Sequence, residues 1–299
     1  MKTKIINIIL IYLLSLPTAA TAGEIIDQAG RTVQVPDKIS RLISLAPSIT
    51  EIVYALEQGE KLVGATQYST HPAAAQKLPR VGSYVRLDLE KIISLKPNLC
   101  LGIKDGNPEH TVSKLEELGI PVYVIDPRNL DDIVEVTKRL GKLLGAEETS
   151  NILVAEMLSR MTAIRQKIAL TDTKPAVFFQ IDAAPIITVG RDTFIHELIT
   201  LAGGRNVAGG PDPYPRYNWE DILKLQPEIV IVASMAGGHT PEELKSGWLK
   251  WPQIPAVKNK RLYVVDADLI DRPTPHLLDG LEEFARIIHP EIFGEPDAK

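Results

Sequence analysis

Residues 88–101 read DLEKIISLKPNLCL, and residues 218–231 read NWEDILKLQPEIVI. At one constant offset (218 against 88), Glu90 aligns with Glu220, Ile92 with Ile222, Leu95 with Leu225 and Pro97 with Pro227. Each copy predicts a short helix that starts near the glutamate, turns apolar side chains to one face and ends at the proline, which has no amide hydrogen to donate. An unbroken apolar run follows, Leu99 to Ile103 and Ile229 to Ala233. Such a run suits a strand buried on both faces of a parallel sheet.

The likeness extends outward. Residues 121–126 (PVYVID) and 261–266 (RLYVVD) are short β-branched runs that end in aspartate. Upstream, residues 41–56 (RLISLAPSITEIVYAL) read as a strand running into a helix capped near Ser48 or Thr50, and residues 185–203 (PIITVGRDTFIHELITLAG) read the same way. The second ends at Gly203-Gly204, which reads as a helix cap. Strands alternating with helices specify α/β units on a largely parallel sheet. Two copies specify two similar α/β lobes with a ligand cleft between them.

A long helix is expected to join the lobes. Over residues 147–171, Ile152, Ala155, Leu158, Met161, Ile164 and Ile168 recur at helical spacing, and neither Gly nor Pro interrupts until Pro175. About 24 residues at ~1.5 Å each make a stiff rod of roughly 36 Å. The expected organisation is therefore an amino-terminal lobe over 23–146, a connecting helix over 147–172 and a second lobe over 173–299. Residues 1–22 have a basic start (Lys2, Lys4), an apolar run from Ile5 to Leu16, and Ala20-Thr21-Ala22 as a small-x-small cleavage site. They read as a cleavable signal peptide, so a periplasmic protein is expected. A membrane span needs ~20 apolar residues, more than this run supplies.

Composition narrows the function. The chain has 299 residues, a net charge of −5, and 44% hydrophobic and 24% charged residues. That excludes a disordered chain and a disulfide miniprotein, and weighs against a nucleic-acid binder held by phosphate contacts. Cys100 is the one cysteine, so an intramolecular disulfide and a cysteine zinc site are excluded. There is no GxSxG elbow, Walker loop, HExxH or GxGxxG, so no enzyme and no catalytic residue is expected. The six histidines (His71, His110, His196, His239, His276 and His289) show no metal-ligand spacing, and no protein-held metal is expected.

The aromatic residues are scarce, 5% of the chain, yet they gather in loops that follow expected strands. Tyr68 lies in QYSTHP (67–72), Tyr84 in GSY (82–84), and Tyr214, Tyr217 and Trp219 in PYPRYNW (213–219). Ligands of open α/β sheets bind beyond the carboxyl ends of the strands. Facing lobes would line a cleft with these rings, which suit a large flat ligand. Asp268 and Arg272, after the last strand, offer polar contacts to its edge. Glu90 and Glu220, one per lobe, sit where a helix dipole favours a carboxylate, and as a spaced pair they could dock arginines of a symmetric partner.

These residues resemble the periplasmic substrate-binding proteins of ABC importers for corrinoids, haem and ferric siderophores. Asp27 to Val33 with Val35-Pro36 is similar to that family's amino-terminal hairpin, and Arg41 to Glu51 to its first strand and helix. Within the family the likeness is greatest to the cobalamin (vitamin B12)-binding type. Tyr68 falls on its cleft tyrosine, in a YSxxP motif. Tyr84 and Tyr214 fall on cleft tryptophans, and Ile103 replaces a third aromatic ring. Asp268 and Arg272 fall on polar cleft positions, Gly106-Asn107 on a cleft-edge loop, and Glu90 and Glu220 on glutamates that dock permease arginines. The resemblance implies a monomeric binding protein without cofactor or catalysis. It would carry cobalamin or another corrinoid to a dimeric permease in the inner membrane. Haem- or ferric-siderophore binding is the alternative it leaves, with Tyr68 or His71 as the iron ligand. Against it, the glycine-tyrosine-methionine-arginine stretch of haem binders is replaced here by Gly82-Ser83-Tyr84-Val85-Arg86.

Overall fold

Two four-stranded parallel sheets organise the chain. The structure is a computed structural model that describes residues 23–183, 185–233 and 239–296; the expected signal peptide lies outside the described residues. In the first sheet the spatial order is Leu62–Ala65, Leu42–Ser44, Leu99–Ile103, Val122–Ile125. In the second it is Arg205–Asn206, Ala176–Gln180, Ile229–Val232, Leu262–Val264. The order of strands along the chain is the same in both lobes. All four residues of Ile229–Val232 are buried, as are the first four of Leu99–Ile103. Each run is sandwiched between helices, as its lack of alternation requires.

The repeat persists in local geometry. Asp88 caps the helix Leu89–Ser94 by accepting the Lys91 amide hydrogen at 2.9 Å, and Asn218 caps Trp219–Leu225 by accepting that of Asp221 at 3.0 Å. Ile92 and Ile222 are fully buried in equivalent places. Each helix stops just before its proline through a residue in the left-handed region, Lys96 (φ 47°) and Gln226 (φ 45°). Glu90 and Glu220 occupy the second position of these helices and are exposed.

Three details differ from the sequence reading. The strand preceding Phe194–Leu201 in the main sheet is Ala176–Gln180; Ile186–Ile187 instead joins Asp182–Ala183 and Arg216–Tyr217 in a small antiparallel sheet. Both stretches are apolar, and only packing selects between them. The helix Pro47–Ala55 starts on Pro47 with no side-chain cap, because the cap position is held by Ala46, which has no side-chain acceptor; Thr50 lies inside the helix and its hydroxyl joins a buried chain described below. The long helix Glu147–Ile168 buries Val154, Met157, Met161 and Ile164, while Ile152, Ala155 and Leu158 face outward. Its inner face is therefore rotated from the stripe expected.

That helix runs against Leu130–Leu144, and the pair ties the lobes together. Leu130, Ile133 and Val134 belong to the core of the second lobe, with Phe179, Ile231 and Phe284, whereas Val136, Leu140 and Leu144 belong to that of the first. The first amide of Leu130–Leu144 has no carbonyl of its own helix to reach. It is answered from the other lobe, since Leu130 N–H donates to Glu197 Oε2 at 2.9 Å. Arg160, on the long helix, donates to Glu282 (2.7 Å) and Asp279 (2.6 Å). One helix feeding two cores cannot bend without opening one of them, which supplies the stiffness of the joint.

Candidate functional site

Most loops singled out by aromatic or polar residues leave the carboxyl end of a parallel strand, while Tyr84 sits in the turn of a short antiparallel hairpin, Gly82–Ser83 with Arg86–Leu87. Tyr68 follows Leu62–Ala65, Gly106-Asn107 follows Leu99–Ile103, Tyr214 follows Arg205–Asn206, and Asp268 and Arg272 follow Leu262–Val264. Tyr68, Tyr84 and Tyr214 are large side chains left exposed, at 53%, 38% and 58% of their surface.

Each tyrosine stands on a fixed base. Beneath Tyr68, Ser69 is buried and shares hydrogen bonds with Thr66 and Thr50 (both 2.9 Å), and Thr50 donates on to Ser44 at 2.8 Å. Arg80 clasps the same loop by donating to the carbonyls of Thr66 (2.9 Å) and Ser69 (3.0 Å). The Tyr84 carbonyl accepts from Asn107 Nδ2 at 2.8 Å, and that amide also donates to the Leu45 carbonyl at 2.9 Å. Gly106 lets the ring settle: a Cβ there would lie 2.9 Å from Tyr84 Cδ2. The Tyr214 loop lies along residues 188–191, with Gly190 N–H donating to Pro213 O (2.9 Å) and Thr188 N–H to Pro215 O (3.2 Å). Any Cβ at Gly190 would strike the Asp212 carbonyl.

Tyr217 and Trp219 stand apart from these three rings. Tyr217 meets Phe178 edge-on at 6.0 Å, while Trp219 stacks on Trp251 at 5.4 Å and meets Trp248 edge-on at 5.2 Å. All three tryptophans of the chain thus share one cluster in the second lobe.

Between the lobes lies an ionic network that the sequence reading captures only in part. Arg272 Nη1 donates to Glu51 Oε1 at 2.6 Å and Nη2 to Asp268 Oδ1 at 2.9 Å, with Asp271 Oδ1 3.6 Å from Nε. His71 Nδ1 lies 3.4 Å from Arg272 Nη1 and 3.8 Å from Asp268 Oδ2. Glu51 and His71 come from the first lobe; Asp268, Asp271 and Arg272 come from the second. The loop of Tyr68 therefore faces the last loop of the other lobe. Glu51 and Arg272 are shielded, with 7% and 15% of their side chains exposed, while Asp268 is open at 47%. Burial pushes the Asp271 carboxyl up to about 6; Arg272 pulls it down, and Asp268 and Glu51 push it further up. Burial also works against the Arg272 charge, but its hydrogen bond to Glu51 and the surrounding carboxylates prevail and hold it above its ordinary range.

Glu51 and Asp271 are not among the residues that the sequence selects. Glu51 carries a signal, since a carboxylate among Ile49, Ile52 and Val53 sits on the buried face of an amphipathic helix, where a charge needs a partner. Among the described residues no cluster of His, Cys, Asp or Glu is arranged to hold a metal ion, and no helix is long and apolar enough to cross a membrane.

Comparison with known proteins agrees with this architecture. The family model described as periplasmic binding protein matches residues 42–269. The vitamin B12-binding protein of Vibrio cholerae is 32% identical over 252 residues, covering 83% of this chain and 88% of the relative. The crystal structure of the periplasmic vitamin B12-binding protein BtuF of Vibrio cholerae superposes with a TM-score of 0.73 at 32% identity, over 83% of this chain and 96% of that one. A periplasmic haem-binding protein from Pseudomonas aeruginosa superposes with a TM-score of 0.75 at 26% identity, over 85% and 94%. With two parallel sheets in matched order, a stiff helical joint and a cleft at the strand ends, this chain belongs to the periplasmic binding protein family.

Proposed function

We propose that the protein captures a corrinoid of the cobalamin class between its lobes and delivers it to the permease of an ABC importer in the inner membrane. The observation that carries the reading is the set of three exposed tyrosines, Tyr68, Tyr84 and Tyr214, each braced at the carboxyl end of a sheet, two on one lobe and one on the other. Aromatic faces hold a broad ring, and their hydroxyls reach the amide groups at its rim. Asp268 and Arg272 supply polar contacts, while Tyr217 and Trp219 support the wall of the second lobe. The 32% identity to a vitamin B12-binding protein over most of both chains favours this ligand. No metal ligand is required of the protein, because the corrin ring already holds its cobalt.

Delivery is assigned to Glu90 and Glu220, exposed carboxylates at the same position of matched helices, one per lobe. They present two like charges at a fixed separation to a partner with two basic sites. Export to the periplasm by the amino-terminal segment completes the reading.

A second reading, haem binding, is favoured by the exposed Tyr68 beside His71 and by the haem-binding structural neighbour. Titration of the purified protein with cyanocobalamin and with haemin, by calorimetry and absorption, separates the two. Heat of binding with cyanocobalamin is expected; its absence together with a shifted haemin spectrum would replace the corrinoid by haem. Alanine at both Glu90 and Glu220 is expected to abolish uptake while ligand binding persists, and uptake that survives would refute the docking role.

A further inference from the structure

The interlobe network has a composition that its hydrogen bonds alone do not require. One guanidinium, Arg272, is faced by three carboxylates: Glu51, Asp271 and Asp268. A further titratable group, His71, is in contact with Asp268 and Arg272 and is half exposed. Arg80, the nearby cation of the Tyr68 loop, is spent on the backbone carbonyls of Thr66, Ser69 and Gln76. Three carboxylates set against one guanidinium leave the floor between the lobes net negative by two formal charges. The guanidinium is turned onto the carboxylates, with little of its side chain exposed, whereas Asp268 is the open member. A ligand seated over this floor meets acceptors and negative charge.

We infer that the Glu51–Asp268–Asp271 ring around Arg272 is a charge-selectivity filter: it admits planar ligands whose rim is neutral and donates hydrogen bonds, and it rejects ligands whose rim carries carboxylates. In a partly shielded cleft like charges repel far more strongly than in water, and naturally specific sites use such repulsion to exclude competitors. An amide-rimmed ring donates N–H to Asp268. A ring with acid side chains sets carboxylate against carboxylate and finds the arginine already occupied. Glu51 thereby acts as a positioning residue: it takes one edge of the guanidinium, so Arg272 can still touch the ligand rim but its charge is already balanced and cannot pair an incoming carboxylate. The inference rests on the corrinoid reading for its first pair of probes and is independent of it for the second.

The test compares ligands that differ only in rim charge, using the purified full-length exported chain at pH 7.5 and calorimetry. The first pair is cyanocobalamin and its monocarboxylate, in which one side-chain amide is hydrolysed to the acid. The second pair is haemin dimethyl ester and haemin. In the first pair, which differs by one carboxylate, the neutral member is expected to bind about tenfold more tightly, the effect of one added like charge at this range; in the second pair, which differs by two propionates, the ester is expected to be favoured by about tenfold or more. In the Glu51→Gln, Asp271→Asn double variant, checked for folding by circular dichroism, the ratio is expected to fall below about threefold by the same screening argument. Equal binding within the pairs by the wild-type chain would overturn the filter, and so would an unchanged ratio in a folded double variant. Should the double variant fail to fold, the wild-type ratios decide. Binding of the haem pair alone, with the ester favoured, would refute the corrinoid reading yet uphold the filter. Binding of neither pair would overturn both.

Discussion

Replacing Arg272 by alanine is the sharpest probe of how the two lobes are held in register. The side chain links 221 positions of sequence through a 2.6 Å hydrogen bond to Glu51, and both ends are shielded. Its removal leaves Glu51 buried without a counter-charge and leaves Asp271 and Asp268 facing it. Two unit charges ~4 Å apart at an effective dielectric near 20 interact by about 4 kcal/mol. Breaking a buried pair by deleting one partner costs about 3–5 kcal/mol. Asp268 and the outer edge of Arg272 touch solvent, so the lower end applies, about 3 kcal/mol. For a chain of this size each kcal/mol moves the midpoint by ~2–4 °C, so Arg272→Ala should melt roughly 6–12 °C lower at pH 7.5. The assay is a thermal melt followed by circular dichroism, on the wild type, Arg272→Ala, Glu51→Gln and the pair Glu51→Gln with Arg272→Ala. The double variant should regain part of the loss, because Glu51 is no longer a buried charge without a partner, and the cycle should show a coupling of about 2 kcal/mol. A melt of Arg272→Ala within about 2 °C of wild type, or strict additivity of the singles, would refute an ion pair that joins the lobes.

Other outcomes follow from the same structure. Burial raises the Asp271 carboxyl to about 6 in the folded chain, so the folded state binds its proton more tightly than the unfolded state, and stability is lost as pH rises through that value. Asp271→Asn should therefore stabilise the protein at pH 7.5, by on the order of 1–2 kcal/mol after screening, and leave it unchanged near pH 4; urea melts at the two pH values check the sign. The Cys100 thiol is wholly buried and pushed up to about 12, so it should resist a thiol reagent in the native state and react once in denaturant. Gly106→Ala places a Cβ against Tyr84 and should weaken ligand affinity by about tenfold through a displaced ring, with a melting point close to wild type; unchanged affinity would remove Tyr84 from the site. Because all three tryptophans cluster in the second lobe, a mid-range denaturant transition seen by tryptophan emission and by circular dichroism should coincide if the shared helix makes the lobes unfold together.

The units and their order are legible along the chain. The apolar runs at 99–103 and 229–233, the capped short helices before them and the positions of Pro97 and Pro227 are local features, and local caps and periodicity are written residue by residue. The tyrosine loops are legible for the same reason, since exposed rings next to Pro and Gly stand out in a chain so poor in aromatics. The rest depends on packing in three dimensions. Ala176–Gln180 takes the sheet position that residues 185–189 could equally have filled, because two apolar strands differ only in what they pack against. The long helix turns Val154 and Met157 inward in place of Ile152 and Leu158, because its apolar side chains are spread nearly evenly around the axis and its neighbours choose the face. Glu51 and Arg272 look in sequence like a stray carboxylate on a helix and a loop arginine. Only closure of one lobe on the other brings them to 2.6 Å, and with them the charge of the cleft floor, because electrostatic pairing depends on distance in space and not along the chain.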